Sequence, residues 1–193
     1  MSKAPVTPSQ TIGPFFHFGL LSLPQNDLTK PATKGERIRL VGRVLDGHGD
    51  GVPDAMIDLW QANAAGRYDH PRDRSDAPLD PAFIGFGRSG SEEDGGYWFE
   101  TIKPGTTAHQ GGRQAPHLNL AVFARGLLNH LWTRVYFEDE GRANDADPVL
   151  RQVPAARRST LMAKRAVVDG RVVYTLDVVL RGEAKTETVF FEL

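Results

Sequence analysis

The feature that most constrains the fold is a series of short segments in which apolar and polar residues alternate with a period of two. In RIRLVGRVLD, residues 37–46, the apolar residues Ile38, Leu40 and Val44 recur among arginines and a glycine. This alternation is typical of a strand with one buried face. Further strands are predicted in AMIDLWQA, GGYWFETI, HLNLAVFA, LWTRVYF, AVVDGRVVYTLDVVL and TETVFFEL. Seven or more short strands separated by turn residues indicate an all-β sandwich or barrel.

Turn chemistry supports the strand assignment, and helix is scarce. Asp169-Gly170 is a favoured two-residue hairpin turn between two strand-like runs. Asp147-Pro148 ahead of VLRQVP predicts one capped helical turn, and ARRSTLMAKRA predicts one short amphipathic helix. The loop from Asn63 to Phe83 has no period, and its length suggests a function.

The N-terminal segment, residues 1–36, differs in composition from the rest of the chain. It is rich in Pro, Thr and Ser and contains Phe15, Phe16 and Phe18 within four residues. Such an aromatic group gains by docking, so we predict an ordered arm at an interface and a β domain over residues 37–193. The three tryptophans are strand residues, and we predict that they lie mostly in the core.

Composition excludes several classes of function. The formal net charge is −1, which argues against binding to nucleic acid or to an anionic membrane surface. The chain has no cysteine, so disulfides, thiolate metal sites and a cysteine nucleophile are excluded. The N-terminus lacks the apolar stretch of a signal peptide, and no run approaches a membrane span. We predict a cytoplasmic protein.

The segment APHLNLAVF contains what could be half of a metal site. His117 and Asn119 are two residues apart in a predicted strand and therefore share a face. A mononuclear site needs three or four converging ligands, and an amide is a poor ligand for a hard cation. Tyr68 in the long loop could add a phenolate, which still leaves the site half empty. We predict that this chain binds no metal by itself.

Arg134 is the second candidate. In LWTRVYF it shares a strand face with two aromatic residues, Trp132 and Tyr136. An arginine beside aromatic rings suits a carboxylate or an aromatic anion. The alternative from residue type alone is an ordinary surface arginine.

Ordered motifs resemble those of the intradiol ring-cleaving dioxygenase family. They are LVGRVLDGHGDGVPDAMIDLWQANAAGRYDH, FIGFGRSGSEEDGGYWFETIKPG and APHLNLAVFARGLLNHLWTRVYFEDE, preceded by TPSQTIGPFFHFGL. The resemblance covers about residues 7–140. It implies an antiparallel β-sandwich of the intradiol dioxygenase or transthyretin-like type, with an N-terminal arm and one or two short helices.

The resemblance also implies a lost iron site. Family members hold Fe(III) with two tyrosines and a His-x-His pair. Tyr68 matches the first tyrosine, no tyrosine follows the Lys-Pro-Gly turn, and the pair is His117-Leu118-Asn119. The family implication is an iron-free subunit whose homologous partner, the beta subunit, carries the ferric site. The complex would use O₂ to cleave the ring of 3,4-dihydroxybenzoate.

The same resemblance assigns substrate-binding groups to this chain. It places Thr11, Gly13 and Pro14 of the arm at the mouth of the partner's cleft, with Arg134 as a substrate-binding residue and no catalytic residue on this chain. Two alternatives remain: a non-enzymatic transthyretin-like β-sandwich binding module, and a stand-alone intradiol enzyme with an altered site. Both would share the strand pattern.

Overall fold

The structure, a computed structural model, describes Gly19 and residues 25–109, 112–183 and 185–192. Eleven strands form in this part of the chain: β1 Arg37–Leu45, β2 Met56–Trp60, β3 Phe86–Gly90, β4 Gly96–Ile102, β5 Thr107–His109, β6 Gly112–Gln114, β7 His117–Phe123, β8 Leu131–Phe137, β9 Met162–Val168, β10 Arg171–Thr175 and β11 Val178–Val179. Within residues 25–109, 112–183 and 185–192, the helical elements are the 3₁₀ turns Glu138–Glu140, Leu150–Gln152 and Ala155–Leu161 and one α-helix, α1, Gly141–Ala146. The prediction of a mainly β protein with few short helices is confirmed.

Nine strands belong to one sheet, in the order β4-β1-β10-β9-β8-β7-β2-β3. The ninth strand, β11, comes after β10 in the chain and also pairs with β1. The short hairpin β5-β6 stands apart. Most pairings are antiparallel, but β1 pairs in parallel with β10 and β11, and β8 with β9. Alternation of residues does not reveal strand direction, so the antiparallel prediction holds only for the majority of pairs.

Residues 25–28, here termed the closing segment, join the two ends of this sheet. Gln25 forms a bridge to Arg88 of β3, and Asp27 forms one to Glu100 of β4. Gly87 permits the close approach, because a Cβ there would lie 2.5 Å from the Leu28 side chain. The sheet is therefore nearly closed and barrel-like, and the predicted two-sheet sandwich is not confirmed.

The inner face of this sheet forms the main core. Its largest fully buried side chains come from β1, β2, β4, β7, β8 and β10, as the alternation predicts. A second, smaller apolar cluster covers part of the outer face around Tyr136, with Leu150 and Leu161 from the 3₁₀ turns and Val153 from the link between those turns. The ends of β7 and β8 are thus buried on both faces.

Several sequence predictions need correction. The strand predicted in TETVFFEL is wrong for the residues described there, where Phe191 forms only an isolated bridge to Trp132. The helix predicted for ARRSTLMAKRA is a 3₁₀ helix that ends at Leu161, because the chain from Met162 forms β9, which pairs first with β8 and then with β10. The three tryptophans are half-buried on the outer face rather than in the core.

Other expectations either hold or stay open. Asp147 does cap a helical turn, since its carboxylate accepts the backbone N–H groups of Val149 and Leu150. The long loop between β2 and β3 carries no regular element. The phenylalanine group and the arm residues Thr11, Gly13 and Pro14 lie outside the described residues. Within the described ranges, no helix is long and apolar enough to cross a membrane.

Candidate functional site

Three strands bring polar and aromatic residues together on the outer face of the sheet. The strand register makes Asn119 of β7 the neighbour of Trp60 of β2 on one side and of Arg134 of β8 on the other. His117, two residues from Asn119, pairs with Tyr136. Because side chains alternate along a strand, these residues share one face while their neighbours fill the core.

Tyr68 reaches this face from the long loop between β2 and β3. Its ring stacks on Trp60, with centroids 5.8 Å apart and planes inclined by 19°. The backbone N–H of Tyr68 donates to Asp73 at 2.7 Å, and Asn63 accepts from two N–H groups at the start of the same loop. These local hydrogen bonds hold a segment without regular structure in one conformation. We term Trp60, Tyr68, His117, Asn119 and Arg134 the outer-face cluster.

A chain of hydrogen bonds fixes the protonation of this cluster. The Nδ1 atom of His117 lies 2.7 Å from the Ala115 carbonyl oxygen, which can only accept, so Nδ1 carries the proton. The Nε2 atom then accepts from the Tyr68 hydroxyl at 3.3 Å. Asn119 in turn donates to the Tyr68 oxygen at 3.1 Å and to the Trp60 carbonyl at 3.0 Å. These side chains therefore satisfy one another's hydrogen-bonding groups.

The electrostatics agree with this assignment. Burial, and then the positive charge of Arg134, lower the pKa of His117 to about 4, so its imidazole is neutral at pH 7. Burial raises the pKa of Tyr68, although Asn119 and Arg134 oppose that shift. The phenol therefore keeps its proton, which is the form required to donate to His117.

Arg134 is half-buried and forms no ion pair with the described residues. Its Nη1 atom lies 3.4 Å from the Tyr136 hydroxyl oxygen, and its guanidinium lies 5.9 Å from the Phe191 ring centroid. The Tyr136 hydroxyl donates to the buried Asp147 carboxylate at 3.3 Å. A cation without a carboxylate partner is thus held in place on the sheet's outer face.

The structure brings together four of the predicted site residues: Tyr68, His117, Asn119 and Arg134. The predictions missed that Tyr136 and Asp147 support Arg134. Asp147 appeared in the sequence only as a helix cap, and its second role depends on packing between β8 and the 3₁₀ turns. The alternation in LWTRVYF did place Tyr136 on the face of Arg134, which was the available signal.

With this geometry in view, the comparisons with known proteins define the class. The model of the family described as Dioxygenase matches residues 13–182, and the chain belongs to this family, that of the intradiol dioxygenases. It is similar to the protocatechuate 3,4-dioxygenase alpha chain of Burkholderia cepacia, with 45% identity covering 100% of this chain and 100% of that one. It is also similar to the protocatechuate 3,4-dioxygenase beta chain of the same organism, with 37% identity covering 95% of this chain and 79% of that one.

Solved structures support the fold. The dioxygenase domain of a dioxygenase–carbohydrate-binding protein fusion from Streptomyces sp. SirexAA-E superposes with a TM-score of 0.62. Sequence identity is 23%, and the match covers 86% of this chain and 89% of that one. At this identity the likeness concerns the fold alone.

Intradiol dioxygenases use iron, and the residues of this chain do not fit a ferric ion. Among the described residues, no group of three or more His, Asp and Glu side chains could hold a metal. Tyr68 and His117 are hydrogen-bonded to each other, and Asn119 presents its amide N–H₂ to the tyrosine oxygen. The Lys-Pro-Gly turn is followed by Thr106 and Thr107, with no second tyrosine.

Proposed function

We propose that this chain is the iron-free alpha subunit of a protocatechuate 3,4-dioxygenase and that it pairs with a homologous beta chain carrying the ferric ion. The observation that carries the proposal is the self-satisfied hydrogen-bond network at Tyr68, His117 and Asn119. It stands where the family's iron ligands would lie, in a chain similar over its full length to an alpha chain. The similarity to a beta chain supports a pair built from two copies of one fold.

The complex would cleave 3,4-dihydroxybenzoate between its two hydroxyl-bearing carbons and insert both atoms of O₂. The product would be 3-carboxy-cis,cis-muconate, an intermediate of the β-ketoadipate route of aromatic degradation. The ferric ion of the partner would supply the activation of the catechol. This chain would contribute binding groups and walls, and the localisation that fits the role is cytoplasmic.

Arg134 would be its main electrostatic contribution. A guanidinium that is half-buried and without a carboxylate partner in the described residues favours a bound anion. Tyr136 and the buried Asp147 would keep it oriented. Thr11, Gly13 and Pro14 would narrow the mouth of the cleft, since proline fixes its own φ and glycine allows close approach. The arm, residues 1–36, would then be an interface element.

Co-expression with a homologous beta chain that carries the two tyrosine and two histidine ligands tests the pairing. The two chains should co-purify, ring cleavage should require both, and this chain alone should contain no iron and show no absorption from tyrosinate-bound ferric ion. Stoichiometric iron in the isolated chain would overturn the proposal and would favour the alternative of a stand-alone intradiol enzyme. Failure to pair, with no ring cleavage, would instead favour a non-enzymatic transthyretin-like binding module, against which the family match argues.

The assembled complex allows a test of Arg134. Arg134→Ala should raise KM for 3,4-dihydroxybenzoate by the equivalent of about 1–3 kcal/mol if one charged hydrogen bond is lost. Arg142→Ala, which removes an arginine exposed on α1, is the matched control and should leave KM unchanged. An unchanged KM in Arg134→Ala would return Arg134 to the surface-residue reading.

A further inference from the structure

A cavity of about 550 Å³ opens beside the outer-face cluster, on the side of the long loop. Its wall includes Trp60, Tyr68, His70, Arg72 and Arg74. His117, Asn119 and Arg134 are not part of its lining. The cavity is therefore a separate space that only shares Trp60 and Tyr68 with the cluster.

One wall of this cavity is aromatic. The Trp60 and Tyr68 rings stack on each other, and the His70 ring meets Trp60 edge-on, with centroids 6.5 Å apart and planes at 86°. Such a wall favours a flat, unsaturated ligand, because ring faces and edges attract through dispersion and their quadrupoles.

Two arginines give this cavity a positive charge, which favours a negatively charged ligand. Arg72 and Arg74 line the cavity, are exposed, and form no ion pair with the described residues. Asp73 lies between them, but its two carboxylate oxygens accept the backbone N–H groups of Tyr68 at 2.7 Å and Ser75 at 2.8 Å. Although burial opposes it, these bonds hold the pKa of Asp73 below its ordinary value. Asp73 is thus engaged by its own loop, and the two guanidinium groups remain for a ligand.

The cavity is framed by backbone that leaves little freedom. Gly66 has a φ of +82°, and a Cβ there would lie 2.0 Å from the Thr106 carbonyl oxygen, so only glycine lets the two walls approach. The N–H of Gly105 donates to the Asn63 carbonyl at 3.0 Å across the same contact. A site whose walls are fixed before binding loses less entropy when a ligand enters.

We propose that this cavity, here termed the arginine pocket, is a binding site for an aromatic carboxylate. The ring of the ligand lies against Trp60, Tyr68 and His70, and its carboxylate is bound by Arg72 and Arg74. Guanidinium groups bind carboxylates with paired, charge-assisted hydrogen bonds, and the rings select for a planar ligand. This site is independent of the proposed role of Arg134 and needs no iron.

Equilibrium dialysis of the purified alpha–beta complex with radiolabelled 4-hydroxybenzoate counts the sites. The wild-type complex should bind one more molecule per alpha–beta pair than the Arg72→Ala/Arg74→Ala variant. Arg142→Ala/Arg181→Ala removes the same charge from other exposed positions and should keep the additional site. An equal number of sites in all three proteins would overturn the proposal, as would loss of the site in both double variants.

Two further probes test the chemistry of the pocket. Cyclohexanecarboxylate lacks the aromatic ring, and 4-hydroxybenzyl alcohol lacks the charge. At this site each compound should bind at least tenfold more weakly than 4-hydroxybenzoate. Ligand binding at this site should also change the tryptophan fluorescence of the wild-type complex, because Trp60 lines the cavity. Trp60→Phe should abolish that change while the iron absorption of the partner stays the same, and a change that persists in Trp60→Phe would contradict the assignment. Equal binding of all three compounds would contradict the assignment.

The design separates this proposal from the proposed function. If the chain does not assemble with an iron-bearing partner, the proposed function fails, and the same dialysis applies to the chain alone. One site is expected there, lost in Arg72→Ala/Arg74→Ala and kept in Arg142→Ala/Arg181→Ala. Absence of any site in the isolated wild-type chain would then overturn the arginine pocket by itself.

Discussion

The residues on the two faces of strands β7 and β8 are subject to different physical constraints. On the inner face, Leu118, Leu120 and Val135 are fully buried in the main core. On the outer face, at alternate positions of the same strands, His117 and Asn119 form a polar network with a loop tyrosine. The inner face is constrained by packing, where each methylene counts. Around His117 and Asn119 the outer face is constrained mainly by hydrogen-bond satisfaction, so polar residues can be exchanged there while the fold persists.

The largest effect should come from breaking the inner face. Leu118→Ala removes a fully buried side chain and leaves a cavity, so the free energy of unfolding should fall by about 2–5 kcal/mol. Chemical denaturation followed by circular dichroism measures this loss. Leu128→Ala, at a side chain that is 72% exposed, is the control and should change stability by less than about 0.5 kcal/mol. Similar losses in both variants would show that burial does not distinguish these sites.

Asp147 forms hydrogen bonds that support the outer face, and its removal should cause the second largest loss of stability. Its carboxylate accepts the buried N–H groups of Ala115 and Leu150 as well as the Tyr136 hydroxyl. Asp147→Ala leaves these donors unsatisfied and should cost about 3 kcal/mol in thermal or chemical unfolding. Asp145→Ala, two residues away and exposed, should be near neutral. A cost below about 1 kcal/mol would mean that water replaces the carboxylate.

Lowering the pH should destabilise the fold through the buried imidazole of His117. The pKa of His117 is about 4 in the folded chain and about 6.5 when unfolded, so between these values only the unfolded state binds the proton. The free energy of unfolding should therefore fall as the pH falls, by about 2 kcal/mol from pH 7 to pH 5 for this group. His117→Gln should lose that much less over the same range in a pH series of denaturation curves. Parallel curves for the two proteins would show that His117 titrates normally.

The smallest effect should come from the loop hydroxyl. Tyr68→Phe keeps the ring stacked on Trp60 but removes the proton that His117 accepts, at an expected cost of about 1 kcal/mol. Chemical denaturation of the purified variant measures it. If the loss matched that of Leu118→Ala, the distinction between the two faces would fail.

The sequence predicted best where one physical requirement dominates. Strands such as β1, β4, β7 and β8 have one buried and one open face, so period two is visible in the residues. β3 escaped notice because its inward positions include Gly87, where the Leu28 side chain approaches from the closing segment. That contact joins residues far apart in the chain and has no local pattern.

The candidate site was only partly readable for the same reason. Tyr68, His117, Asn119 and Arg134 were named from local patterns and from family motifs, and the structure brings them together. What the residues could not give is the direction of each hydrogen bond, which depends on the Ala115 carbonyl. The arginine pocket likewise arises from the path of a loop without periodicity, which only the folded chain defines.

The closing segment has a consequence for solubility. Without residues 25–28, β3 and β4 would each present an edge of unpaired N–H and C=O groups, and such edges template aggregation between chains. Two bridges and the buried Leu28 side chain cover them. Proteolytic release or deletion of the closing segment would therefore expose the edges of β3 and β4, and these edges could then pair with other copies of the chain.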